Sequence, residues 1–149
     1  MKRFRYRLEP LLKYRNHMER MAQLETAKAS SAVSECGHAI DMLNVDYHQH
    51  ALELEKRMSS GVDAEHYLVY RSYLNGMEAA IDGEKKRYKH LKNTLLKKQA
   101  VLKERSVAKK VLSNLKDRKK KRYYEDMLKS DQKETDDAII VRKARDINI

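Results

Sequence analysis

The sequence contains no tryptophan, one phenylalanine, one proline, one cysteine and four glycines in 149 residues. Each shortage excludes something. Leu, Ile, Val and Phe together make about 21% of the chain and the mean hydropathy is −0.86, so there is too little apolar bulk for a rounded core. Such a composition lies near the boundary at which chains stay unfolded. The near absence of Pro and Gly argues the other way, because the Ala, Leu, Glu, Lys and Arg that replace them favour helix almost everywhere. A lone Cys36 rules out an intramolecular disulfide and a cysteine metal cluster, and fits a reducing compartment such as the cytoplasm. No apolar run approaches the roughly 18 residues of a membrane span. The opening "MKRFRYRLEPLLKYR" has no apolar core or cleavage site of a secretory signal. Its first eight residues are basic enough for a mitochondrial presequence, but Glu9 and Glu19 follow without a serine-rich stretch. It reads instead as the lead into a helix.

What is present is periodicity. Leu11, Met18, Ala22, Ala29, Ala32, Cys36, Ile40, Leu43, Tyr47, Ala51, Leu54 and Met58 form a seam with a period near 3.5. The seam stops at "SSGVDAEHY", where Ser59, Ser60 and Gly61 form a turn and Asp63 is a suitable N-cap. It resumes through Tyr67, Tyr70, Leu74, Met77, Ile81, Tyr88, Leu91, Leu95, Leu102, Leu112 and Tyr123, with Glu84, Lys98, Arg105 and Lys109 in intervening slots. Pro10 suits a first helical turn, where its missing N–H costs nothing. The expectation is therefore an all-α fold of one coiled-coil domain. It has helix 1 from about 10 to 58, a turn at 59–63, helix 2 from about 64 to 137, and a flexible tail at 138–149. The short turn makes the helices antiparallel, with residue i near residue 122 minus i, so helix 2 overhangs its partner. A kink or break is expected at Asn75-Gly76.

The charges are unevenly placed. Residues 1–20 hold seven bases against two acids, and residues 84–124 hold seventeen against three. Residues 21–83 hold four bases against ten acids. A hairpin brings the two basic segments together at its open end, which calls for an anionic partner. A solvated coiled coil with no such partner, or a nucleic-acid-binding arm carried by "LKDRKKKRYY", is the alternative reading. The basic run follows the leucine repeat instead of preceding it as in a basic zipper, so nucleic acid is not the expected partner.

No phosphate-binding glycine loop, dinucleotide fingerprint or HExxH helix occurs. The six histidines are not at ligand spacing, and Cys36 on the seam reads as a small buried hydrophobe. No catalytic residue, metal ligand or cofactor is expected, and a two-helix coil offers no concave pocket.

The stretches "FRYRLEPLLKYRNHMERMAQLETAKA" (4–29), "YRSYLNGMEAAI" (70–81) and "LKDRKKKRYYEDMLKSDQKETDDAI" (115–139) resemble the FliJ family of flagellar type III export. These proteins are related to the stalk components of virulence type III secretion. The resemblance implies an antiparallel two-helix coil like the stalk of rotary ATPases, with both termini at the end that enters the hexameric export ATPase. It further implies contact with the cytoplasmic part of the transmembrane export gate, binding of export chaperones, and a cytoplasmic location peripheral to the inner-membrane export apparatus. The gate patch maps onto Tyr73, Met77, Ala80 and Glu84, unless Tyr73 and Met77 merely broaden the core. The ATPase-ring contact is assigned to the basic tip: Arg3, Arg5, Arg7, Lys116, Arg118, Lys119, Lys120, Lys121 and Arg122. A basic coiled-coil protein that binds RNA or ribosomes, and a generic coiled-coil scaffold, are the competing functions.

Overall fold

The computed structural model describes residues 3–147, which contain two helices, α1 (Glu9–Ser60) and α2 (Ala64–Ile147). Their ends follow local chemistry. The Glu9 N–H bonds to the Tyr6 carbonyl at 3.2 Å and the Leu12 N–H to the Leu8 carbonyl at 2.9 Å, so the chain turns into α1 with Pro10 in the first turn. At the other end the Ser59 and Ser60 hydroxyls donate to the Glu55 and Lys56 carbonyls, each at 3.1 Å. Both serines are helical, and the expected turn at 59–63 narrows to 61–63. Gly61 adopts φ 86° and its N–H donates to the Met58 carbonyl at 3.3 Å, a left-handed C-cap that only glycine enters without strain. Asp63 then precedes α2 and its carbonyl accepts the Tyr67 N–H at 3.0 Å.

α2 is one element of 84 residues, uninterrupted at Asn75-Gly76. Backbone hydrogen bonding on both sides carries the helix through a residue of low propensity. It also runs to Ile147 instead of ending near 137, since Ala138 to Ala144 contain neither Gly nor Pro and Ile139, Ile140 and Val141 do not stop a helix. Residues 148 and 149 of the expected tail lie outside the described residues. Gly76 and Gly83 have open space where a Cβ would stand. Gly76→Ala and Gly83→Ala should therefore each stabilise the protein by about 0.5–1 kcal/mol. Thermal melting followed by circular dichroism should show a higher midpoint, and a lower one would reveal an unseen contact.

The chain divides into two compact units. In the unit of residues Arg20–Glu104, α1 and α2 run antiparallel: Thr26 reaches Lys98, Cys36 reaches Glu84, Tyr47 reaches Glu78 and Arg57 covers Tyr70. Ala22, Cys36 and Leu54 of α1 and Leu74, Met77 and Ile81 of α2 are buried. Ala29, Ala32, Ile40, Leu43, Tyr47 and Ala51 flank them half-buried, as the seam requires. Met58 and Tyr67 are exposed instead, because beside the turn the partner helix has ended.

The other unit joins the two ends of the chain, up to Glu19 and from Arg105. Here too the pairing is antiparallel, Glu9 meeting Lys116 and Glu19 meeting Lys109. Tyr6 and Leu12 are buried while Leu11, expected in the seam, is exposed. The covered line at this end passes through Leu12 and Glu19, one step round the helix from Leu11. Beyond it α2 has no partner among the described residues: every residue from 128 to 147 is exposed.

Lys98 and Lys109, two of the polar residues in the slots of the second seam, are paired across it, and so is Lys116. Lys98 meets Glu25 at 3.6 Å, Lys109 meets Glu19 at 3.1 Å and Lys116 meets Glu9 at 2.8 Å. Such partly exposed pairs contribute on the order of 0–1 kcal/mol each, so their main effect is on register.

Candidate functional site

Residues 3–6 precede any helical turn, and Arg3, Arg5 and Arg7 alternate with Phe4, Tyr6 and Leu8. In an extended segment alternate side chains point to opposite sides, and the burial follows that rule. Tyr6 is buried and Phe4 and Leu8 are half-buried, whereas all three arginines are exposed. The Tyr6 hydroxyl donates to the Leu112 carbonyl of α2 at 3.1 Å, and the Phe4 ring lies 5.7 Å from that of Tyr123. Tyr123 in turn meets Tyr124 edge-on at 5.7 Å. An aromatic strap thus holds the arginines out from α2. Arg5, Arg7 and Lys116 line one surface hollow with Phe4, Tyr6, Glu9 and Pro10.

Not all tip cations are equally available. Lys116 is engaged by Glu9, and Lys121 has only Glu125 of its own helix at 3.9 Å. Arg118, Lys119, Lys120 and Arg122 are exposed. The sequence pointed to the charges but missed Phe4, Tyr6, Tyr123 and Glu9, which position them; the alternation of arginine with Phe4, Tyr6 and Leu8 was the available signal.

The second group lies past the turn. Tyr73 is 53% exposed and its ring meets that of His50 edge-on at 5.2 Å. Ala80 is exposed as well. Met77 does not join them. It is buried with Leu74 and Ile81, three and four residues away, so that of its two readings Met77 takes the one in the core. Glu84 is also turned inward: its carboxylate accepts the Cys36 thiol at 3.4 Å and lies 3.7 Å from Arg87. The exposed stripe is therefore Val69, Tyr73 and Ala80, with Gly76 between them at the same helical spacing.

Three groups titrate away from their ordinary values, all in the unit of residues 20–104. Burial and the Glu84 hydrogen bond push the Cys36 thiol up. That keeps it a thiol and not a reactive thiolate. The hydrogen bond to Glu78, with burial, raises Tyr47, and burial with a hydrogen bond to Glu53 raises Tyr70. The Tyr47 hydroxyl donates to the Glu78 carboxylate across the helix pair. Among the described residues no group of His, Cys, Asp and Glu is arranged to hold a metal, and no helix is long and apolar enough to cross a membrane.

No curated protein sequence matches the chain. Among solved structures it is similar to a YscO homolog from Chlamydia trachomatis, at 17% identity and a TM-score of 0.46, with 91% of this chain and 92% of that chain covered. The profile of the flagellar FliJ protein matches residues 4–146, which takes in both helices and the aromatic strap. The chain belongs to the FliJ family of flagellar proteins.

Proposed function

We propose that this protein is a non-catalytic stalk of the flagellar export apparatus that promotes assembly of the hexameric export ATPase and couples it to the export gate. The observation that carries the reading is the strapped tip, where Phe4 and Tyr6 anchor Arg3, Arg5 and Arg7 beside the basic stretch of α2. Its cations face outward and need an anionic or carbonyl-lined surface, and a charged ring lumen supplies one. The protein acts in the cytoplasm, peripheral to the inner-membrane apparatus, and binds export chaperones. Mixing it with the cognate export ATPase should raise ATP hydrolysis and yield rings visible by electron microscopy. Unchanged hydrolysis with no rings would reject the reading.

Gate contact is assigned to Tyr73, Ala80 and the adjoining Val69. Met77 supports that stripe from the core, and Glu84 fixes its far end through Cys36. Tyr73→Ala should weaken binding to the cytoplasmic gate domain by about tenfold, as loss of an exposed aromatic anchor does. Helicity should not change. A large loss of helicity would make Tyr73 a packing residue instead.

A further inference from the structure

Within the unit of residues 20–104, α2 carries a long stretch of unbalanced charge. Between Glu84 and Glu104 it has no acid, but holds Lys85, Lys86, Arg87, Lys89, Lys92, Lys97, Lys98 and Lys103. Two of these are neutralised, Lys98 by Glu25 and Arg87 by Glu84. The antiparallel register sets residues 26–34 of α1 opposite the middle of this stretch, and their only charge is Lys28. Asp82 and Glu104 stand at the two ends of the stretch, but among the described residues none of the remaining lysines is in an ion pair.

The lysines are also ordered. Lys85, Lys89 and Lys92 follow one another at steps of four and three, Leu96 comes four further on and Lys103 seven beyond that, so all of them share a flank of the helix. All five are exposed, Leu96 at 60%. Lys86 and Lys97 are exposed beside the row. At about 1.5 Å per residue the row from Lys85 to Lys103 is roughly 27 Å long on a straight element.

We infer that this row is a docking surface for an anionic lipid leaflet, against which this unit lies with its lysines in the headgroups and Leu96 at the acyl boundary. Several features favour a leaflet over nucleic acid. The row is lysine, a point charge that needs no directional partner, and not the arginine fork that reads phosphates in pairs. It has no exposed aromatic on which a base could stack, since Tyr88 is half-buried and Lys92 covers its ring at 5.6 Å. A straight helix meets a flat sheet of charge along its whole length, but meets a duplex only where it crosses a groove. An apolar residue within a cationic row adds insertion to attraction. The surface goes beyond the export reading and does not depend on any ATPase or gate contact.

The test is flotation of the full-length protein with vesicles of phosphatidylcholine alone, or with about a third phosphatidylglycerol. Binding should occur only with the anionic vesicles and should weaken with salt. Each lysine near the surface contributes on the order of 1 kcal/mol, about fivefold in partitioning. The quadruple variant K85Q/K89Q/K92Q/K103Q should therefore lose at least a hundredfold, with its helical circular dichroism retained. A variant with Lys119, Lys120, Lys121 and Arg122 replaced by Gln removes the same number of charges elsewhere and should retain most of its binding. Equal losses in the two variants would mean attraction by net charge alone and would overturn the proposal. Retention of binding by the K85Q/K89Q/K92Q/K103Q variant would overturn it too, as would displacement of the protein from vesicles by a single-stranded RNA at physiological salt. A protein that stimulates the export ATPase but ignores anionic vesicles would lose only this inference. The converse result would lose only the export reading.

Discussion

Replacing Lys119, Lys120, Lys121 and Arg122 by Glu should slow association with the export ATPase by about a hundredfold, within the range seen when charge steering is removed or reversed. The change is large because it lowers the net charge of residues 84–124 from +14 to +6 and reverses its sign locally, at the place where the positive residues are most dense. The helix should survive it. All four residues are exposed, none is paired across to α1 among the described residues, and Glu has nearly the helix propensity of Lys. Lys116 is the informative contrast. Its ammonium is spent on Glu9 at 2.8 Å, so Lys116→Ala should loosen the start of α1 and affect the ATPase only indirectly. Association rates measured by stopped flow at two salt concentrations separate these cases. The wild-type rate should fall steeply with salt and that of the Glu variant should not. An unchanged rate in the Glu variant would remove the basic tip from the ATPase contact.

The tip also shows where sequence reading ends. Its charges were legible because charge is a property of residue type, and their approach to one another followed from the Gly61 turn and the antiparallel register. The strap was not, because the pattern of Arg3 to Leu8 is too short to distinguish an extended segment from the first turns of a helix. Only the Tyr6 hydroxyl on the Leu112 carbonyl and the ring of Phe4 beside Tyr123 decide it. Met77 was ambiguous for another reason. It sits three residues from Leu74 and four from both Tyr73 and Ile81, so it fits the seam and the neighbouring stripe equally. Rotation of the helix by a fraction of a turn settles which face is covered, and spacing alone does not contain that angle. The end of α2 was missed because no breaker marks it, and a helix without a breaker continues as far as its propensity carries it.

Leu74→Ala should be the most destabilising single change outside the tip. Leu74 is 1% exposed, the most deeply buried large side chain among the described residues, and Met77 and Ile81 lie one turn and two turns along the same face. Truncating a buried leucine usually costs about 2–5 kcal/mol, part of it lost transfer energy and part the cavity left behind. The lower half of that range is expected here, because two helices with no third layer can close on a void more readily than a packed globule. The effect should be local to the unit of residues 20–104. Hydrogen exchange is therefore the right measurement: amides of residues 70–81 should lose protection by about 30-fold or more, 2 kcal/mol being roughly a factor of 30. Leu96→Ala is the control, since Leu96 is 60% exposed and an exposed substitution away from special features stays within about 0.5 kcal/mol. Equal, small effects at both positions would mean that α1 and α2 are held together by their cross-helix ion pairs and not by the seam. Adding salt would then weaken the pairing, whereas a leucine seam should be nearly indifferent to it.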